Sequence, residues 1–94
     1  MDNTLSIPID RLCKHYDISR DFMEGLYEYG IIVLHPVQEV YCLSEDQLHI
    51  LEKYIHFHTE LDINLEGLQV VHQLLNRIEY LERQLEMIRK GSLT

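Results

Sequence analysis

The stretch that decides the fold runs from residue 8 to residue 30 and reads PIDRLCKHYDISRDFMEGLYEYG. Ile9, Leu12 and Cys13 lie at i, i+3 and i+4, which is the spacing of one face of a helix. Pro8 suits the first turn of such a helix, because the backbone N–H that proline lacks would have no helical partner there. The pattern predicts a first helix of about two turns over residues 8–15.

A second helix is predicted directly after the connecting residues Asp17-Ile18-Ser19. Ser19 is placed as its N-cap, since a serine oxygen can accept a hydrogen bond from a backbone N–H of the first turn. The helix should run through Tyr29 and end at Gly30, with that glycine in the left-handed conformation. Two short helices joined by a three-residue turn, with Ile18 held between them, have the layout of a helix-turn-helix.

The sequence after Gly30 changes its period and predicts a small β-hairpin, or wing. Residues 31–34 and 40–43 are two short β-rich runs, and residues 35–39 are the predicted loop between them. The following residues, Ser44-Glu45-Asp46-Gln47, have the pattern of a capping box, with serine at the N-cap and glutamine three residues later. A third helix is therefore predicted to start there and to continue to about Leu61.

A long terminal helix, from Leu65 to about Arg89, is the last predicted element, with Asn64 as its N-cap. Its apolar residues are spaced alternately three and four apart, which is the seam of a coiled coil. A second copy of the chain is the simplest cover for this seam, so its residues are the predicted dimer interface: Val71, Leu74, Ile78, Leu81, Leu85 and Ile88. The predicted organisation is a head over residues 1–62 and a coiled-coil dimerisation helix over residues 63–94, within one structural domain.

The charge of the chain bears on the choice of partner. Sixteen Asp and Glu oppose eight Lys and Arg, and the net charge of −8 is shared equally between residues 1–43 and 44–94. Nucleic-acid binders usually present a basic face, but the second helix carries one arginine and the acids Asp21, Glu24 and Glu28. DNA binding through this helix is therefore disfavoured. The three acids are either a solvated face or the binding site for a basic protein surface, and the lack of lysine among them favours a partner.

Catalytic and metal-binding constellations receive little support from the sequence. His56 and His58 are two residues apart and point to different faces of a helix, so they and Asp62 make a poor metal site. Cys13 and Cys42 are far apart and lie among apolar residues, which is typical of small core residues. No glycine-rich phosphate loop or nucleophile elbow occurs. We expect no enzymatic activity, no cofactor and no metal.

The expected location is the cytoplasm, with the nucleoid as a second location if the partner lies there. The longest uncharged apolar run, residues 30–34, is far shorter than the roughly 20 residues that cross a bilayer. The N-terminus, with Asp2, lacks the form of a signal peptide, and two cysteines make no disulfide framework.

Three stretches of the chain form a recognisable set: residues 9–13 (IDRLC) continuing through Ile18-Ser19, residues 29–32 (YGII) leading to Tyr41 and LSED at 43–46, and ELDINLEG at 60–67. Together they resemble the CbpM family of chaperone modulators, which is similar to the DNA-binding head of MerR-type regulators. The family commonly has tryptophan in the wing where this chain has Tyr41. The resemblance implies a mainly α fold: a MerR-like winged helix-turn-helix head, a small β-hairpin wing and a long C-terminal dimerisation helix.

The resemblance also implies a function. The expected protein is a homodimer that binds the J domain of a CbpA-like DnaJ-type co-chaperone and inhibits its action with the DnaK-type chaperone. The alternative is a MerR-family DNA-binding transcriptional regulator. Similarity to MerR-type dimers suggests antiparallel terminal helices. The resemblance does not identify the J-domain contacts, and the partner-binding residues Asp21, Glu24 and Glu28 are inferred from charge alone.

Overall fold

The computed structural model describes residues 5–92 and is mainly helical, with one small sheet. The first four residues, Asp2 among them, and the last two lie outside the described residues, as do the corresponding ends of the predicted ranges 1–62 and 63–94. The elements, in chain order, are β1 (Ser6–Pro8), α1 (Ile9–Tyr16), α2 (Arg20–Glu28), β2 (Leu34–Val37), β3 (Val40–Ser44), a 3-10 turn (Glu45–Gln47), α3 (Leu48–Glu60) and α4 (Leu65–Ser92).

The helix-turn-helix prediction is confirmed, with a shift of one residue at its start. The Oγ of Ser19 accepts a hydrogen bond from the backbone N–H of Phe22 at 3.0 Å, so this serine is the N-cap of α2. Gly30 has φ +75°, the left-handed conformation expected after the helix. Pro8, which was predicted as the first helical residue, is instead the last residue of β1 and precedes α1.

The predicted first strand of the wing was wrong in position. Ile31 and Ile32 are buried, and the backbone N–H groups of both donate to the carbonyl oxygen of Leu26, so these residues pack below α2 and do not join the sheet. Strand β2 begins at Leu34 and takes in His35, Pro36 and Val37, which were predicted as loop. The turn has only two residues, Gln38 and Glu39, with φ of +50° and +69°. Positive φ at both positions is the geometry of a tight type I′ hairpin turn.

The sheet has a third strand that the sequence pattern did not predict. Strand β1 pairs antiparallel with β3, which lies between β1 and β2, and Leu43 faces both Ile7 and Leu34 across the two ladders. Strand β1 is three residues long and contains proline, so it is too short to show the alternation that marks a strand.

The predicted capping box does not form. Ser44 makes no side-chain cap hydrogen bond, and the 3-10 turn separates it from α3, which begins at Leu48. The Oε1 of Gln47 instead accepts a hydrogen bond from the backbone N–H of Val33 at 2.9 Å. This hydrogen bond satisfies the N–H of Val33 and joins the irregular segment before β2 to the start of α3. The Gln47 side chain therefore bonds to a distant backbone group and not to the nearby backbone of Ser44 that a capping box requires.

The core lies where α1, α2, α3 and the sheet meet, and α4 supplies part of it. Leu68 of α4 is fully buried, and Leu65 and Val71 are half-buried against the same cluster. Gly25 permits this packing, because a Cβ at that position would lie 2.6 Å from the Cδ1 of Leu65. The fully buried side chains of the core are Met23, Leu26, Ile32, Leu43, Leu51, Tyr54 and Leu68.

Asn64 caps α4 as predicted, since its Oδ1 accepts a hydrogen bond from the backbone N–H of Gly67 at 2.8 Å. We expect Asn64→Ala to lower the free energy of unfolding by about 1 kcal/mol, the usual value of such a cap. Asn64→Asp is the matched control and should stay near the wild type, because aspartate keeps the accepting oxygen. Urea unfolding followed by circular dichroism measures both, and an alanine variant as stable as the aspartate variant would contradict the cap's contribution.

Candidate functional site

The acidic residues predicted to bind a partner lie on the outer face of α2. Phe22, Met23 and Leu26 face inward and are buried, because their spacing of one, three and four residues forms a single apolar face. The exposed side carries all three predicted residues: Asp21, Glu24 and Glu28. A recognition helix of this kind would meet phosphates with carboxylates.

The one basic residue of α2 is already bound by acids. The guanidinium of Arg20 lies 2.8 Å from a carboxylate oxygen of Asp10 and 3.1 Å from one of Glu24. All three side chains are at least half exposed, so these pairs add little stability, but they orient the guanidinium. The carboxylates of Asp21 and Glu28 have no ion pair or hydrogen bond with another side chain of residues 5–92.

A groove runs between α2 and the wing, next to the acidic face. It consists of two adjoining cavities of about 250 Å³ and 180 Å³ that share Ile9, Arg20 and Tyr41. We call it the wing groove; its remaining lining residues are Asp10, Glu24, Tyr27, Glu28, Leu34, Glu39 and Val40. Four of its side chains are carboxylates and one is a guanidinium, so the groove is acidic with an apolar floor.

Two tyrosines of the wing groove were not predicted as site residues. Tyr27 of α2 and Tyr41 of β3 are 42% and 48% exposed, and their ring centroids are 6.2 Å apart. The resemblance had marked Tyr41 only as the position of a family tryptophan. Tyr27 could have been noticed as an aromatic residue on the outer face of the second helix, but only the fold brings it to the wing.

The structure places the predicted seam residues on two different surfaces. Val71 packs against the core of the head, whereas the side chains further along α4 project into solvent. Each of these is more than half exposed: Leu74, Ile78, Leu81, Leu85 and Ile88. On the outside of the helix, Arg83 and Glu79 form an i, i+4 ion pair at 3.0 Å.

The terminal helix gives the molecule its extended shape. Helix α4 has 28 residues, which corresponds to about 42 Å. The radius of gyration is 16.4 Å, against about 12 Å for a compact chain of this length. From Leu74 onward, α4 therefore carries an apolar stripe that the described part of this chain leaves uncovered.

His58 and the two cysteines occupy structural positions. The Nδ1–H of His58 donates to the carbonyl oxygen of Ile63 at 2.8 Å, and its ring stacks on Phe22. Cys42 is buried. For the half-buried Cys13, burial and, to a smaller extent, the charge of Asp10 raise the pKa of the thiol, which disfavours the reactive thiolate. Within residues 5–92, no group of three or more His, Cys, Asp or Glu side chains is arranged to hold a metal.

None of the helices that the structure describes is both long enough and apolar enough to span a bilayer.

Comparison with known proteins identifies relatives along nearly the whole chain. Chaperone modulatory protein CbpM of Pseudomonas putida (strain W619) is 27% identical over 93 residues, covering 96% of this chain and 92% of the relative. The CbpM proteins of Pseudomonas entomophila (strain L48) and Pseudomonas putida (strain GB-1) are 25% and 27% identical over the same shares. No solved structure matches the chain.

The family comparison agrees with the fold. The profile described as MerR HTH family regulatory protein matches residues 7–90, which takes in the first three helices, the hairpin, most of β1 and all but the last two residues of α4. The chain therefore belongs to the family of MerR helix-turn-helix regulatory proteins.

Proposed function

We propose that this protein is a chaperone modulator that binds the J domain of a CbpA-like DnaJ-type co-chaperone and inhibits its action with the DnaK-type chaperone. The observation that carries the proposal is the acidic outer face of α2, in a chain that is similar to chaperone modulatory proteins over 96% of its length. With basic residues on its outer face, α2 would suit DNA. With acidic residues there, it suits a basic protein surface.

The mechanism follows from charge complementarity. The resemblance implies a J domain that engages its chaperone through a basic helix. The exposed carboxylates of Asp21, Glu24 and Glu28 would bind this helix and occlude the surface that the chaperone needs. Opposite charges across an interface speed association and select the partner. The inhibition requires no chemistry and no cofactor, in keeping with a modulator that acts in the cytoplasm by occupying a surface.

The active form in this proposal is a homodimer joined through α4. The exposed stripe from Leu74 to Ile88 has the alternating spacing of a coiled-coil seam, and a second copy would cover it. Because the head is anchored to the first turns of α4 through Leu68, each dimer would carry two acidic faces at fixed positions.

The test measures J-domain binding and inhibition by a variant in which the three acids are neutralised. Asp21→Asn/Glu24→Gln/Glu28→Gln should raise the Kd for the J domain by at least about tenfold and abolish suppression of J-domain-stimulated ATP hydrolysis. The matched control, Glu45→Gln/Asp46→Asn/Glu60→Gln, changes the net charge equally at exposed acids away from α2 and should change Kd by less than about threefold. Added salt should weaken the wild-type complex. No complex at low salt, or equal effects of the two triple variants, would refute the proposal.

Membership of the MerR family supports a second candidate, a DNA-binding transcriptional regulator. A gel-shift assay with genomic fragments at physiological salt distinguishes the two. The acidic α2 predicts no shift, because the counterion release that drives DNA binding requires Lys or Arg at the phosphates. A specific shift that is lost with Arg20→Ala would favour the regulator.

A further inference from the structure

The wing groove contains acidic side chains that are paired and acidic side chains that are free. Asp10 and Glu24 share the guanidinium of Arg20, so one of their two negative charges is balanced within the molecule. Glu28 and Glu39 have no ion pair or hydrogen bond with another side chain in the described part of the chain. Of the three acids inferred from charge, only Glu28 is therefore both free and inside the groove.

The aromatic rings line the same cavities as these free carboxylates. Tyr27 neighbours Glu28 on α2, and Tyr41 lies in the cavity that Glu39 also lines. Their rings are tilted by 47° to each other and remain nearly half exposed. A carboxylate next to an exposed aromatic face suits a guanidinium, which stacks on rings and forms paired hydrogen bonds with carboxylates.

The dimensions limit what can enter. The larger cavity, about 250 Å³, is below the roughly 300–1,000 Å³ that is typical of sites for drug-sized ligands. Its floor is apolar, formed by the buried side chains of Ile9 and Leu34. One long side chain with an aliphatic stem and a charged tip matches both the volume and the polarity.

We propose that the wing groove is an anchor site for one arginine side chain on a helix of the protein partner. The guanidinium stacks against Tyr27 and Tyr41 and pairs with Glu28, while the alkyl stem covers Ile9 and Leu34. The identity of the partner rests on the proposed function, but the chemistry of the groove does not. It follows that Glu28 contributes more to binding than Asp21 or Glu24, and that part of the affinity is insensitive to salt.

The experiment compares single variants in titrations with the J domain. Glu28→Gln and Tyr41→Ala should each weaken binding at least about tenfold, as anchor residues do. Glu60→Gln, at an exposed acid of α3 that does not line the groove, is the charge control and should stay within about threefold of the wild type. Tyr41→Phe keeps the ring and should restore most of the affinity that Tyr41→Ala loses. Tyr41→Ala should lose the same factor at low and high salt, whereas Glu28→Gln should lose less at high salt.

A second probe separates this proposal from the identity of the partner. It uses two alanine-based helical peptides, one with arginines at i and i+4 and one with lysines at the same positions. Tyrosine fluorescence of the protein reports binding, since the chain has six tyrosines and no tryptophan. The arginine peptide should bind at least about threefold more tightly than the lysine peptide, and Tyr41→Ala should remove the difference.

The outcomes are distinguishable. Binding of the arginine peptide with the predicted variant pattern, but no binding of the J domain, would refute the proposed function and support the anchor site. Binding of the J domain with Tyr41→Ala and Glu28→Gln both as tight as the wild type would refute the anchor site and leave the proposed function standing. No binding of either probe would refute both.

Discussion

Leu81→Lys should convert the proposed dimer to a monomer, with the mass in solution falling from twice the chain mass of 11.2 kDa to that mass itself. Leu81 lies in the middle of the exposed seam on α4 and is 51% exposed in the single chain. A fully buried leucine contributes about 1.5–3 kcal/mol, and a two-fold dimer contains two copies of it. Because Leu81 is half exposed in the single chain, dimerisation can bury only about half of each side chain, so losing both weakens association by at least about tenfold. Two buried ammonium groups would oppose association further.

The matched control for the dimer is Tyr80→Lys, which places the same charge on the adjacent residue. Tyr80 is 58% exposed and lies outside the three-and-four spacing of the seam. Sedimentation equilibrium over a range of concentrations should give a dimer for this variant and a monomer for Leu81→Lys, both with folded heads by circular dichroism. A Leu81→Lys protein that keeps the dimer mass would show that the seam is not the interface.

Leu68→Ala should lower the free energy of unfolding by about 2–5 kcal/mol, the range measured for large cavities in protein cores. Leu68 is fully buried although it belongs to α4, and it packs with the core of the head. Removing its side chain takes away apolar contacts and leaves a cavity between α4 and the other helices. Small domains are stable by only about 5–15 kcal/mol, so a large share of the stability depends on this one contact.

Leu61→Ala is the control for the core substitution, because it removes the same atoms from a leucine that is 58% exposed. Its effect should be near 0.5 kcal/mol or smaller, as for most surface changes. Guanidinium unfolding at a fixed protein concentration measures both variants, since the proposed dimerisation would make apparent stability depend on concentration. Equal midpoints for the two variants would show that α4 contributes little to the core.

Several features were predictable because they depend on neighbouring residues alone. Ser19 and Asn64 cap their helices as expected, since a cap is a hydrogen bond over three residues of chain. Gly30 takes the left-handed conformation that ends α2, which its lack of a side chain permits. The buried face of α2 also follows from the 3.6-residue period of a helix.

Other features escaped prediction because a distant residue competes for the same group. Gln47 was expected to complete a local capping box, but the backbone of Val33 takes its side chain. Ile31 and Ile32 have high β-propensity, but burial beneath α2 removes them from the sheet. Strand β1 exists only because β3 offers an edge to pair with.

The candidate site divides in the same way. The net charge of the chain and the acidic residues of α2 could be recognised from the sequence, because helical spacing puts those acidic residues on one exposed face. The wing groove could not, since Tyr27 and Tyr41 are 14 residues apart and meet only when the hairpin folds against α2. Nor could the pairing of Arg20 with Asp10, which singles out Glu28 as the free acid.

The sequence by itself therefore determined the order of the helices, their local caps, the acidic face of α2 and the apolar stripe of α4. Each of these is a property of residues within one or two turns of each other, where covalent geometry leaves few alternatives. The tertiary structure alone decided the register of the wing, the insertion of Leu68 and Val71 into the head, and the shape of the groove. These depend on which distant surfaces compete to bury the same side chain, and that competition is settled only when the whole core packs.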